Sequence, residues 1–192
     1  LMSAGIERYF QFAKCMRDED TRGDRQPEFT QLDMELSFAT EEDIMAITEQ
    51  LLIEIVTKLY PHKKIQQVPF PRIPYAESMA KYNIDRPDIR ENKEDPNLLA
   101  FCWVVDFPFF EKNEKGAGGV GQNGEGGGTS AWTFTHNPFS GTRADHFEKL
   151  MSSKATDTDL NTIIAAQYDI VLNGYEIGGG SVRNHQADAL MK

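Results

Sequence analysis

From Phe29 to Phe38 the residues alternate, with Phe29, Gln31, Asp33 and Glu35 set against Thr30, Leu32, Met34 and Leu36. A period of two is the mark of a strand whose faces meet different surroundings. Arg8 to Met16, rich in aromatic and apolar residues, reads as a second strand. Between them Asp18 to Pro27 is crowded with charges and holds Gly23 and Pro27, which favours an exposed connection. The two strands are predicted to form a hairpin with a long charged loop. Directly after it, Thr40 and the acidic Glu41, Glu42 and Asp43 precede Ile44, Ile47, Leu51, Ile55 and Leu59 at helical spacing. That order of cap, acidic first turn and apolar stripe predicts a helix from Glu41 to Tyr60. A hairpin followed by a long helix sets the expectation of an α+β fold built on an antiparallel sheet and flanked by helices.

The rest of the chain adds shorter pieces. Pro69, Pro71 and Pro74 interrupt regular structure, and a short helix is expected over Tyr75 to Tyr82, followed by a linker from Asp85 to Pro96. Phe101 to Asp106 reads as a buried strand. Lys112 to Ser130 holds eight of the 15 glycines and almost no apolar side chain, so it is expected to be a flexible surface loop. A strand at Trp132 to Thr135, a turn at Asn137 to Gly141 and helices near Ala144 to Met151 and Asp159 to Ala166 follow. Two apolar strands, Tyr168 to Asn173 and Tyr175 to His185, close the chain and are expected to be broken by Gly174 and the run Gly178 to Gly180.

With 192 residues, 40% hydrophobic and 26% charged, the chain can bury one sizeable core. A formal charge of -10 argues against a general basic surface for holding nucleic acid, because phosphate neutralisation needs clustered Lys and Arg. Cys15 and Cys102 lie in apolar stretches at no paired spacing, which reads as two buried thiols in a reducing cytoplasm. No apolar run is long enough to span a bilayer, and the N-terminus does not look like a signal peptide. Leu1 in place of an initiator methionine suggests a fragment.

Three stretches carry chemistry. Arg17 and Glu19 are two residues apart, so on a strand they project to one face, and the hairpin can bring Phe29 to that neighbourhood. A guanidinium can fork a phosphate, a ring can stack on a base and a carboxylate can accept from an adenine amino group, although most charged hairpins are solvated faces. The second stretch, Asn173-Gly174-Tyr175-Glu176-Ile177-Gly178-Gly179-Gly180-Ser181-Val182-Arg183, lets a backbone approach a ligand. It lacks the Lys-Ser or Lys-Thr ending of a P-loop and opens no helix. The third is Phe134-Thr135-His136-Asn137-Pro138-Phe139-Ser140, where a lone histidine beside a turn is more often structural than functional.

Cys15-Met16-Arg17-Asp18-Glu19-Asp20 followed by Arg25-Gln26-Pro27-Glu28-Phe29-Thr30-Gln31-Leu32-Asp33 resembles the second signature motif of class II aminoacyl-tRNA synthetases, in the wording of the bacterial-type aspartyl branch. The resemblance implies that Arg17 contacts the ATP α-phosphate, Glu19 the adenine or the tRNA acceptor end, and that Phe29 stacks on adenine. It implies further that Asp33 holds the aspartate ammonium and that Gln31 lines the same pocket. The glycine stretch resembles the segment in which Glu176 binds the magnesium of ATP and Arg183 clamps the aspartate β-carboxylate, so Arg17 and Glu176 are the expected catalytic pair. The third stretch resembles the mobile loop in which a His-His-Pro-Phe run closes over the substrate. His136 matches its first histidine as an aspartate-binding residue, and Asn137 replaces the second. Trp103 to Pro108 matches a strand of the central sheet and is assigned no chemistry.

The same resemblance implies an ATP-dependent aspartate-tRNA ligase using ATP and Mg2+ as cofactors. L-aspartate and tRNA(Asp) would be its partners in the intact enzyme, which would be a cytoplasmic homodimer with no membrane contact. Residues 1–192 would form a partial catalytic domain. The domain normally inserted between Asp88-Ile89-Arg90 and Phe101, the anticodon-binding barrel and the first and third signature motifs are not in this sequence. Two rival readings are an ammonia-dependent asparagine synthetase and a non-catalytic module derived from a synthetase. The sharpest geometric expectation is that Arg17, Phe29, Glu176 and Arg183 converge on one face.

Overall fold

The computed structural model describes residues 1–18, 21, 25–112, 132–152 and 156–190. The hairpin pairs β1 (Arg8–Met16) with β2 (Glu28–Leu36) in antiparallel register, Gln11 opposite Asp33 and Cys15 opposite Phe29. The expected strand to Phe38 ends two residues early, because Phe38 takes a positive φ of 58° that leaves the extended region. One hairpin face carries Phe10, Phe12, Met16 and Leu32, all exposed; the other carries Gln11, Cys15, Phe29, Gln31, Asp33 and Glu35. The thiol of Cys15 is only partly buried on that second face, which corrects the expectation of two buried cysteines; Cys102 is fully buried.

Helix α1 (Glu41–Leu59) starts where its cap dictates. The Thr40 hydroxyl accepts from the Asp43 backbone N–H at 3.3 Å, and the Asp43 carboxylate accepts from the Thr40 N–H at 2.8 Å. This reciprocal box satisfies two of the orphan donors of the first turn. After α1 come β3 (Lys64–Ile65), β4 (Arg72–Pro74), α2 (Tyr75–Tyr82), β5 (Leu98–Leu99) and β6 (Phe101–Val105). The remaining elements are β7 (Phe110–Lys112), β8 (Trp132–Phe134), α3 (Phe147–Met151), α4 (Asp157–Leu160), β9 (Gln167–Leu172), β10 (Tyr175–Ser181) and α5 (Ala187–Leu190).

The central sheet has the order β10-β9-β6-β4, antiparallel except for the β4–β6 pair, which is parallel. Strand β6 is covered on both faces, which is why Phe101-Cys102-Trp103-Val104-Val105 is continuously apolar. Phe101 and Trp103 point to α1, packing with Met45, Val56, Phe70, Tyr168 and Ile170. Cys102 and Val104 point the other way, with Ile73, Phe107 and Val171. Each such side chain taken out of water contributes about 1.5–3 kcal/mol. The sheet is thus closed on its α1 side, and the strand residues that share a face with Val104 and Val171 are those available for a site.

Two local expectations are corrected. The helix expected over Asp159 to Ala166 is a single turn, Asp157–Leu160, because Thr156 and Asp159 form a second capping box and the chain then bridges to other segments through Ile164 and Ala165. The expected break at Gly178 to Gly180 does not occur, since all three glycines lie inside β10. What does turn the chain is Gly174, at a φ of 88°, beside Asn173 at 53°. Lys112 is the last residue of β7, while the rest of the stretch expected to be a flexible loop, 113–130, lies outside the described residues. No helix among the described residues is long and apolar enough to cross a membrane.

The glycines in β10 make room for side chains of β9. A Cβ on Gly180 would lie 2.7 Å from the Tyr168 hydroxyl and 2.9 Å from its ring carbons. A Cβ on Gly179 would collide with the carboxylate of Asp169. Tyr168 is part of the α1-side core and meets Trp103 edge-on at 6.0 Å, so its ring has nowhere to go. Gly180→Ala is therefore expected to destabilise the fold by about 1–3 kcal/mol through overpacking. That corresponds to a melting temperature lower by roughly 5 °C for a chain of this size. Thermal melting followed by circular dichroism checks this, and an unchanged midpoint would show that the ring can step aside.

Candidate active site

The polar hairpin face is organised by side-chain contacts across the two strands. Gln11 Nε2 donates to Asp33 Oδ2 at 3.1 Å, and the Cys15 thiol donates to Gln31 Oε1 at 3.2 Å. The guanidinium of Arg17 sits 5.3 Å from the centre of the Phe29 ring, and the Arg17 N–H donates to the Pro27 carbonyl at 2.8 Å. A cation and an aromatic ring are thus presented together at the mouth of the charged loop. Glu19 lies outside the described residues.

Among the described residues the hairpin forms no backbone ladder with the central sheet; side chains tie the two together. Arg25 Nη2 pairs with Glu176 Oε2 of β10 at 2.6 Å, across 151 positions of sequence. Arg183, just past β10, has Nη2 at 3.6 Å from Glu35 Oε1, on the face that also carries Phe29, Gln31 and Asp33. These two contacts bring Glu176 and Arg183 to the hairpin. Arg25 and Glu35 were not singled out by sequence reasoning, which read Arg25 only as part of a motif and Glu35 as one of an alternating set of strand residues.

Beneath β10 lies a further carboxylate that the sequence did not point to. Asp169 is buried on β9 opposite Gly179, and its Oδ1 accepts from Gln167 Nε2 at 3.3 Å. Burial pushes its pKa up to about 8; the charges of Glu176 and Asp85 add to the rise, while the Gln167 hydrogen bond and Arg25 oppose it. The one available signal was an acid inside an apolar strand, Gln167-Tyr168-Asp169-Ile170-Val171, that faces a glycine across the ladder. His136 belongs to the same electrostatic neighbourhood. Burial lowers its pKa, against the charges of Glu176 and Asp85, so its imidazole is neutral at pH 7. The ring packs edge-on against Phe107 at 4.9 Å, and its buried Nδ1 has no hydrogen-bond partner among the described residues.

Arg183 is partly open to solvent. Its side chain is 56% exposed, and its Cζ lies 4.6 Å from the centre of the Phe139 ring. The arrangement therefore offers a stacking ring and a guanidinium on the hairpin, two carboxylates on adjacent strands and a second guanidinium just past β10. Among the described residues no group of three or more His, Cys, Asp or Glu is placed to hold a metal. Two carboxylates suit Mg2+, which takes one or two protein oxygens and fills its shell with water and phosphate oxygens.

The whole chain, residues 1–192, matches the family described as tRNA synthetases class II (D, K and N). The chain belongs to that family. Among the curated proteins, an aspartate-tRNA(Asp/Asn) ligase of Mycobacterium tuberculosis is 29% identical over 307 aligned positions, covering 98% of this chain and 50% of the relative. An aspartate-tRNA ligase of Listeria monocytogenes is 46% identical over 121 residues, covering 62% of the chain and 20% of the relative. Among solved structures, an aspartyl-tRNA synthetase from Entamoeba histolytica aligns with a TM-score of 0.61 at 17% identity, over 99% of this chain and 37% of that one. An asparaginyl-tRNA synthetase from the same organism, in complex with asparaginyl-adenylate, aligns with a TM-score of 0.59 at 18% identity, over 98% and 40%.

The structural likeness establishes the class II synthetase fold, as the resemblance implied. The chain spans about half the length of the curated relatives it matches. An alignment of 307 positions against 192 residues also means that the relative carries residues with no counterpart here.

Proposed function

We propose that this class II synthetase chain binds ATP and L-aspartate and serves the aspartate-activating half of an aspartate-tRNA ligase. The observation that carries the reading is the double tie of hairpin to sheet, Arg25 to Glu176 and Glu35 to Arg183, which brings two motifs far apart in sequence, the hairpin and the glycine stretch, together. On this reading adenine stacks on Phe29, Arg17 meets the α-phosphate, and Gln31 and Asp33 face the amino acid's ammonium. Arg183 faces its side-chain carboxylate, and His136, kept neutral by burial, supplies a polar ring without adding charge.

The reaction is attack of the aspartate α-carboxylate oxygen on the α-phosphorus of ATP, forming the acyl-phosphate bond as the bond to pyrophosphate breaks. The terminal ribose hydroxyl of tRNA then takes the aspartyl group and releases AMP. Such chemistry rests on positioning and charge neutralisation and needs no protein nucleophile. Glu176 and Asp169 would hold Mg2+, whose contribution is to neutralise charge on the phosphates. Arg17 stabilises the same charge from the hairpin side, and Arg25 holds Glu176 in place.

Calorimetric titration of the chain with Mg-ATP and with L-aspartate tests the reading. ATP is expected to bind, and Phe29→Ala is expected to weaken it about tenfold or more, since stacking of a base on a ring contributes about 1–3 kcal/mol. A non-catalytic module would bind neither ligand. An asparagine synthetase would instead yield free asparagine from ammonia in the restored full-length protein, a product that amino-acid analysis detects.

A further inference from the structure

The segment after His136 builds the seat of Arg183. Asn137 Oδ1 accepts from the Ser140 backbone N–H at 2.8 Å and from its hydroxyl at 2.9 Å, which closes the turn. The Ser140 hydroxyl oxygen lies 2.9 Å from that of Ser181 at the end of β10 and 3.5 Å from Gln167 Oε1 on β9. On either side of Arg183 the backbone is tied to the same turn. The Gly141 N–H donates to the Val182 carbonyl at 2.7 Å, and the Asn184 N–H donates to the Phe139 carbonyl at 2.8 Å. Held in this frame, the Phe139 ring carries the Arg183 guanidinium at 4.6 Å.

Among the described residues the carboxylate that faces Arg183 is that of Glu35, whose oxygen at 3.6 Å is beyond good hydrogen-bond distance. An arginine on a long, partly exposed stem is oriented by what its flat face rests on, and here that is the ring. We propose that Phe139 is a positioning residue for Arg183, setting the plane in which the guanidinium meets a substrate carboxylate, and that Asn137 acts through Ser140 to hold Phe139 there. The proposal rests on the reading of Arg183 given under Proposed function. It gives Asn137, the residue that departs from the family's second histidine, a role of its own: its side-chain carbonyl is used inside the turn.

The test uses the chain with isotope-labelled arginine, followed by NMR, alongside calorimetric titration with L-aspartate and Mg-ATP. Phe139→Leu is expected to remove the ring-current shift of the Arg183 side-chain signals and to weaken aspartate binding about fivefold, leaving ATP binding unchanged. Phe139→Tyr is expected to restore both, and Asn137→Ala to move both in the direction of Phe139→Leu. If Phe139→Leu leaves aspartate affinity unchanged while Arg183→Leu lowers it, the positioning role is wrong and the reading of Arg183 stands. If Phe139→Leu weakens ATP and aspartate equally, the ring is merely structural and the proposal fails. If Arg183→Leu binds aspartate as the natural chain does, or the natural chain takes up none, the reading of Arg183 fails and the proposal with it.

Discussion

In chelator, the Asp169→Asn variant is expected to melt at a higher temperature than the natural chain, by a margin that widens as pH rises from about 4 to about 8. Asp169 is a carboxyl whose folded pKa, about 8, is raised above its ordinary value of 3.8 by burial and by Glu176 and Asp85. The folded state therefore keeps a proton that the unfolded chain releases. Stability from this group is fully present below pH 4, is lost steadily as pH rises, and levels off above pH 8. The full span is on the order of 5 kcal/mol as an upper bound, and relaxation around the charge reduces it to a few kcal/mol. Asparagine keeps an acceptor for Gln167 and has no proton to lose, so its profile through this range is flat with respect to position 169. With Mg-ATP present the order is expected to reverse, because only the natural chain has two carboxylates to offer the metal. Melting curves from pH 5 to pH 9, with chelator and with Mg-ATP, decide the matter. Parallel pH profiles for the two proteins would mean that Asp169 is not held protonated by its surroundings.

On the proposed function, Arg183→Leu in a full-length ligase that contains this chain is expected to lose activation of aspartate while sparing ATP binding. The substrate's second carboxylate would lose a charge-assisted hydrogen bond, which contributes about 1.5–3 kcal/mol, or roughly ten- to a hundredfold in aspartate kcat/KM. A fully buried ion pair would imply a larger loss, but a side chain that is 56% exposed leaves part of the charge to water. Asparagine carries no such charge and is expected to lose far less. Pyrophosphate exchange measured with each amino acid reads the difference directly. Equal losses for both would assign Arg183 to the shared α-carboxylate or to the fold.

The sequence by itself determined those parts of the protein whose cause is local. The hairpin followed from a period of two, and α1 from Thr40, Asp43 and the apolar stripe behind them, because a cap and a periodic face act within one or two turns of chain. The motif wording alone brings Arg17, Phe29, Glu176 and Arg183 forward as candidate site residues. Where local signals pointed both ways, they misled. The acidic run after Thr156 gave only one turn of helix, and the three glycines of β10 continued a strand they were expected to break.

Only the tertiary structure decided why those glycines are there: Tyr168 and Asp169 on the neighbouring strand occupy the space that Cβ atoms would need. Pairing of β9 with β10 also takes Asp169 out of water and into the field of Glu176, which turns an acid in an apolar run into a group with a pKa pushed up to about 8. The partners Arg25 and Glu176 are 151 positions apart, and Glu35 meets Arg183 across a similar distance in sequence. No spacing rule reaches that far, since the free energy of such contacts depends on which segments the packed core brings together.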